Sequence, residues 1–143
     1  MVDWYGRLGT GDSYYRENTS FSDNLASEKR RTQTLDNLIK RNNLPTPDLI
    51  KLDTQGSEID ILRGGDLALS GAKFVYIECS LVNYNEGAPQ LADYVGFMSS
   101  KGFIPYDLCE DHKKGGALIQ VDILFVRKEV YYSLDPDTKN LYY

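Results

Sequence analysis

Apolar and polar positions alternate between two periods once the chain passes Thr34. Thr34 is placed to N-cap a helix running to about Arg41, with Leu35, Leu38 and Ile39 on its apolar face, and Asn42-Asn43 followed by Pro45 and Pro47 stops it. Asp48 to Asp53 then reads as a short apolar strand that ends in an acid and the turn Thr54-Gln55-Gly56. Ser57 is the expected cap of the next helix, whose first turn carries Glu58 and Asp60, where carboxylates favour the positive end of the helix dipole. Gly64-Gly65 should interrupt it, with a further turn through Leu67 and Leu69 before Gly71. Lys73 to Ile77 is a second strand, ending in Glu78 and apolar enough to be covered on both faces.

Pro89 suits the first position of a helix whose Leu91, Tyr94, Val95 and Met98 fall at i, i+3, i+4 and i+7. Gly102 closes that helix, and Phe103 to Leu108 gives a third strand in which Pro105 implies an edge position or a bulge. Cys109 to Gly116 reads as a charged, flexible loop, and Leu118 to Arg127 as a last strand pairing antiparallel with its predecessor. Residues 1–33 read as a loop-rich segment with one short strand, residues 34–128 as the body, and 129–143 as a tyrosine-rich tail docked on it. Strands alternating with helices imply an α/β fold with right-handed crossovers and a mostly parallel sheet, closed at one edge by an antiparallel last strand.

Composition narrows the function classes. The formal charge of −5, with acids and bases spread along the chain, argues against a nucleic-acid partner, which needs clustered Lys and Arg. Lys29-Arg30-Arg31 is the only basic run and reads as a solvated loop or helix face. No apolar run reaches membrane length and no signal peptide is visible, so no membrane partner is expected. Cys79 and Cys109 have no CxxC spacing, which suggests two free thiols in a reducing, cytoplasmic setting; a metal site on them would need further ligands, and His112 is the single histidine. Eleven tyrosines suit a half-wet cleft or an interface as well as a core edge.

In an open parallel sheet, ligands bind beyond the carboxyl ends of the strands. Asp53 and Glu78 end successive strands there, and an unpaired buried charge is costly, so each acid is either paired or aimed at the crevice. Lys51, two residues before Asp53, offers a structural ion pair at the sheet rim as the alternative to a ligand-binding role. Gly56 permits close backbone approach where the turn enters a helix N-terminus, although a plain βα turn has the same signature.

Several motifs resemble one family. The stretch from Pro47 to Gly65, PDLIKLDTQGSEIDILRGG, resembles the strand-turn-helix signature of FkbM-type methyltransferases, and TLDNLI from Thr34 to Ile39 resembles that family's lead-in. IECSL from Ile77, Tyr84-Asn85, Ala88-Pro89, Gly102-Phe103 and QVDILFV from Gln120 follow in the family's order, so the similarity spans about residues 10–128. The resemblance implies a Rossmann-like class I methyltransferase sheet and methyl transfer from S-adenosyl-L-methionine to a hydroxyl of a sugar or other small metabolite. It further implies that Asp53, Gln55 and Gly56 line the cofactor side, that Lys51 and Glu58 steady the site, and that Glu78 faces the acceptor; His112 resembles a family histidine that stands before the last strand and acts near the acceptor, with a solvated loop histidine as the alternative. Methyl transfer to an alcohol needs an in-line approach and a base for the hydroxyl proton, which Asp53 or Glu78 can supply. No metal is required, although two carboxylates can also hold Mg²⁺. Tyr14 to Asn18 resembles a family segment that touches cofactor or acceptor, with ordinary packing as the alternative.

The family's glycine-rich cofactor loop has no counterpart here, since Gly9-Thr10-Gly11 lacks a buried strand before it and an amphipathic helix after it. The expectation is therefore the C-terminal half of the domain, whose cofactor site is completed by a missing N-terminal half and which is inactive alone; strands apolar on both faces with too few helices to cover them should leave an apolar edge and face exposed, so a homo-oligomer is also expected. A non-catalytic α/β binding module is the competing reading. A carboxylate-and-histidine hydrolase is weaker, for want of a serine elbow or metal motif.

Overall fold

The computed structural model describes residues 1–5, 13–18 and 27–134; Gly9-Thr10-Gly11 and the end of the tail lie outside them. Strands β1 (Val2–Tyr5) and β2 (Ser27–Arg30) pair antiparallel as a separate two-stranded ribbon. The basic run therefore begins on an exposed strand, where a loop or helix face was expected, and Arg30 stacks over Trp4.

The body is a four-stranded mixed sheet ordered β3-β4-β6-β5, formed by β3 (Leu49–Leu52), β4 (Phe74–Ser80), β5 (Phe103–Lys114) and β6 (Ala117–Arg127). β3 and β4 are parallel, with Leu49 opposite Phe74 and Leu52 opposite Ile77, as the two apolar runs and their helical crossover require. β6 runs antiparallel between β4 and β5, so the last strand enters the sheet and β5 becomes the edge. Pro105 sits on that edge beside a register shift, which fits a residue with no N–H to give a ladder.

Helices α1 (Leu35–Asn42), α2 (Glu58–Arg63), α3 (Asp66–Gly71) and α4 (Leu91–Ser100) contribute Ile39, Ile59, Leu62, Leu69, Tyr94 and Met98 to one core with Ile50, Leu52, Val75, Ile77, Cys79, Val121, Ile123 and Phe125 of the sheet. The strand members of that core all lie on one face, by the two-residue period and the pairing register. The other face is largely open, since the helices are too few to cover both sides of strands that are apolar on each. Leu49 is 55% exposed, and Phe74, Tyr76 and Glu78 are only partly buried. Helix α5 (Lys128–Leu134) covers one end of it, with Tyr131 edge-on to Tyr106.

Local signals held where side chains alone set them. Thr34 caps α1 through Asn37 N, and Asn43 closes it in the left-handed region. Gly64 and Gly65 separate α2 from α3. Three expectations need correction. Ser57 holds the cap position, but its hydroxyl donates back to Thr54 instead of accepting from the helix. Helix α4 starts after Gln90, whose reciprocal bonds with Asp93 form a capping box, so Pro89 precedes the helix. Cys109 to Lys114 continues β5 up to a tight Gly115-Gly116 turn with positive φ at both glycines, so His112 stands on a strand rather than in a loop.

Candidate active site

Asp53 directly follows β3, whereas β4 runs on to Ser80, so Glu78 stands inside that strand, two residues before its end, and does not terminate it as expected; the turn between β3 and α2 is built around a buried acid. Glu58 is fully buried, and its carboxylate accepts from Thr54 N at 2.8 Å, Thr54 Oγ1 at 3.1 Å, Gly56 N at 3.0 Å and the Tyr94 hydroxyl at 2.7 Å. These donors compensate its desolvation and fix the turn between a strand end and α4. Gly56 has φ 105°, and a Cβ there would stand 2.7 Å from that of Ala88, so no other residue fits without displacement.

Gln55 stands at the crest of the turn with φ 56°, unusual for a non-glycine residue. Its carbonyl accepts from Ser13 Oγ at 2.9 Å and Asn85 Nδ2 at 2.7 Å, and both donors are buried. Its side-chain Nε2 donates to Glu78 Oε1 at 2.8 Å. Burial and the neighbouring Asp53 carboxylate, with lesser contributions from Asp122 and Glu58, push the Glu78 carboxyl up to about 7.

Two cavities meet at Gln55. The larger, about 1100 Å³, lies on the β3 side and is walled by Trp4, Tyr14, Leu35, Asp53 and Asp60 among others. The smaller, about 410 Å³, is walled by Gly56, Glu78, Tyr84, Asn85 and His112. Asp53 thus faces one cavity, and Glu78 and His112 share the other. Lys51 does pair with Asp53, at 3.7 Å, but the two side chains are 63% and 50% exposed, so the pair adds little stability. Tyr14 and Tyr15 both donate to Asp60 Oδ2, at 2.5 and 2.8 Å. Burial alone would raise the Asp60 carboxyl, but these bonds and Arg63 hold it below its ordinary range.

The sequence did not single out Ser13, Asn85 or Tyr94 as site residues. Asn85 lay inside a recognisable motif, whereas Ser13 and Tyr94 act over 42 and 36 residues of chain separation from Gln55 and Glu58, which no local pattern records. The two thiols are free, Cys79 buried and Cys109 exposed, and no helix among the described residues is long and apolar enough to cross a membrane.

Comparison with known proteins gives one result. The family model for the methyltransferase FkbM domain matches residues 7–105, which span the Gln55 turn, Glu58, Glu78 and Asn85 but end before His112. No curated protein and no solved structure matches the chain. A match over well more than half of the chain means that it belongs to the FkbM methyltransferase domain family.

Proposed function

We propose that the chain carries the acceptor side of an S-adenosyl-L-methionine-dependent O-methyltransferase site, with Glu78 as the group that takes the acceptor's proton. The observation that carries this reading is a carboxyl pushed up to about 7, held by Gln55 in the wall of a small-molecule-sized cavity at the carboxyl ends of parallel strands. A base poised near neutrality both ionises and accepts protons at working pH. The three strands β3, β4 and β5, running one way with β6 reversed between the last two, suit the C-terminal half of a Rossmann-like methyltransferase sheet.

The donor fits the larger cavity. Its 1100 Å³ exceeds what a nucleoside-sized molecule needs, Trp4 and Tyr14 offer aromatic surface, and Asp53 supplies negative charge for a sulfonium. Asp53, Gln55 and the Gly56 backbone would hold the donor from this side. When bound, it supplies an electrophilic methyl group. Gln55 separates the two cavities and so sets the line between donor and acceptor, Glu78 receives the hydroxyl proton, and His112 closes the acceptor side from β5. The acceptor is a small metabolite hydroxyl, sized by the 410 Å³ cavity. A reducing cytoplasmic setting suits the two free thiols.

Isothermal titration of the chain with S-adenosyl-L-methionine tests the reading. Saturable 1:1 binding that Asp53→Asn weakens is expected. Absence of heat at millimolar donor would overturn the donor assignment.

A further inference from the structure

On the open face of the sheet, beyond the family match, β5 and β6 bring together three metal-ligating side chains, of which the methyl-transfer reading uses only His112, as a wall of the acceptor cavity. Glu110 is paired opposite Asp122, and His112 opposite Gln120, so Glu110, His112 and Asp122 share one face of the hairpin. One ligand atom from each lies within 4.8 Å of the other two. His112 Nε2 is 3.6 Å from Glu110 Oε2 and 3.9 Å from Asp122 Oδ1, too far for a hydrogen bond to either, and faces both carboxylates at once.

Asp122 supplies the independent observation. It is 7% exposed, and its Oδ2 is held by the Tyr76 hydroxyl at 2.8 Å. Its Oδ1 is buried and makes no hydrogen bond among the described residues, although it points at the imidazole. A buried carboxylate oxygen without a donor costs free energy, and a cation between Oδ1 and Nε2 removes that cost. Tyr76 meanwhile orients the carboxylate through its second oxygen, as outer-shell donors do at metal sites.

We infer that Glu110, His112 and Asp122 form a binding site for a divalent transition cation of the zinc type. The imidazole selects such a cation over Mg²⁺ or Ca²⁺, which favour oxygen ligands throughout. A point equidistant from the three ligand atoms lies about 2.4 Å from each at their widest spacing, a few tenths of an ångström beyond the ~2.0–2.2 Å bonds zinc makes to nitrogen and oxygen. Glu110 and His112, 65% and 45% exposed, have the freedom to close that gap onto the fixed Asp122. Three protein ligands leave a coordination position open, and His112 also walls the smaller cavity, so the open position can serve a ligand bound there. The site stands independently of the methyl donor.

The single histidine makes the test direct, because every imidazole signal of the untagged chain belongs to His112. ZnCl₂ titrated into the full chain should shift the His112 imidazole nitrogen resonances with 1:1 stoichiometry, and MgCl₂ at the same concentration should not. His112→Ala and Glu110→Gln, both on the exposed edge strand, should fold normally and weaken zinc binding at least about 10–100-fold, the loss typical of disturbing even an outer-shell partner. Asp122→Asn should do the same, but its buried position makes the other two variants decisive. Unshifted imidazole signals at millimolar zinc would overturn the inference. So would zinc binding that survives His112→Ala and is lost on Cys109→Ser, since the exposed thiol would then be the ligand.

Discussion

Gln55 keeps its backbone in the left-handed region, φ 56°, while its side chain donates to Glu78 Oε1 at 2.8 Å. A strained turn residue thus positions the acid near the end of the neighbouring strand, and the strain is sustained by Ser13 and Asn85 on the same carbonyl. Left-handed backbone costs a non-glycine residue roughly 1–2 kcal/mol.

Gln55→Gly separates the two roles. It relieves that strain and removes one hydrogen bond to a carboxylate, about 1.5–3 kcal/mol, so stability should stay within about 1–2 kcal/mol of the parent. The Glu78 carboxyl should rise further, because a donor to its charged form is gone. Chemical denaturation and carboxyl-detected NMR titration check both. A Glu78 carboxyl that titrates unchanged would show that the bond has no electrostatic consequence.

Glu78 should also set a pH dependence. Its folded-state value, about 7, lies above the ordinary 4.5, so between these values the folded chain binds more protons than the unfolded chain. Stability attributable to Glu78 is therefore full below about pH 4.5 and declines as pH rises through 7. Glu78→Gln should flatten this part of the stability profile, read from thermal midpoints between pH 4.5 and 8. Methyl transfer, which needs the ionised form, should instead rise through about pH 7 in a version of the protein with its N-terminal half restored, and Glu78→Gln in that version should lose about 10²–10⁴-fold.

The buried acid of the turn predicts a folding defect. Glu58→Gln replaces one of two acceptor oxygens by a donor facing Thr54 N, Gly56 N or the Tyr94 hydroxyl. Each donor left unpaired costs about 1–3 kcal/mol. Tyr94→Phe should cost less, on the order of 1.5–3 kcal/mol, since only one bond to the carboxylate is lost. Urea midpoints for the two variants should fall in that order, and equal stability of Glu58→Gln and the parent would show that the turn does not depend on the charge.

Asp53 and Lys51 give the opposite expectation. Their exposed 3.7 Å pair should contribute no more than about 0.2–1 kcal/mol, so Asp53→Asn should melt close to the parent. Its effect should appear instead in donor affinity measured by titration. A large loss of stability would make Asp53 a structural acid.

The sequence by itself determined the elements whose causes are local. The Thr34 cap, the Gly64-Gly65 break, the α4 stripe and the two parallel strands each follow from a few adjacent side chains, and the motif around Asp53 to Glu58 identified the family. Only the tertiary structure decided the sheet order and what faces the site. Insertion of β6 between β4 and β5 depends on strand pairing between residues far apart in the chain, as Tyr76 with Leu124 and Glu78 with Asp122, and on contacts such as the hydrogen bond from the Tyr76 hydroxyl to Asp122, which no local period encodes. Cys109 to Lys114 looked like a loop because charge marks exposure. An edge strand on an open face is exposed too, and cross-strand hydrogen bonds with β6, rather than side-chain burial, make it a strand. That same pairing places His112 and Glu110 against Asp122 and carries His112 to the cavity of Glu78, so the chemistry of this face is a product of register rather than of motif.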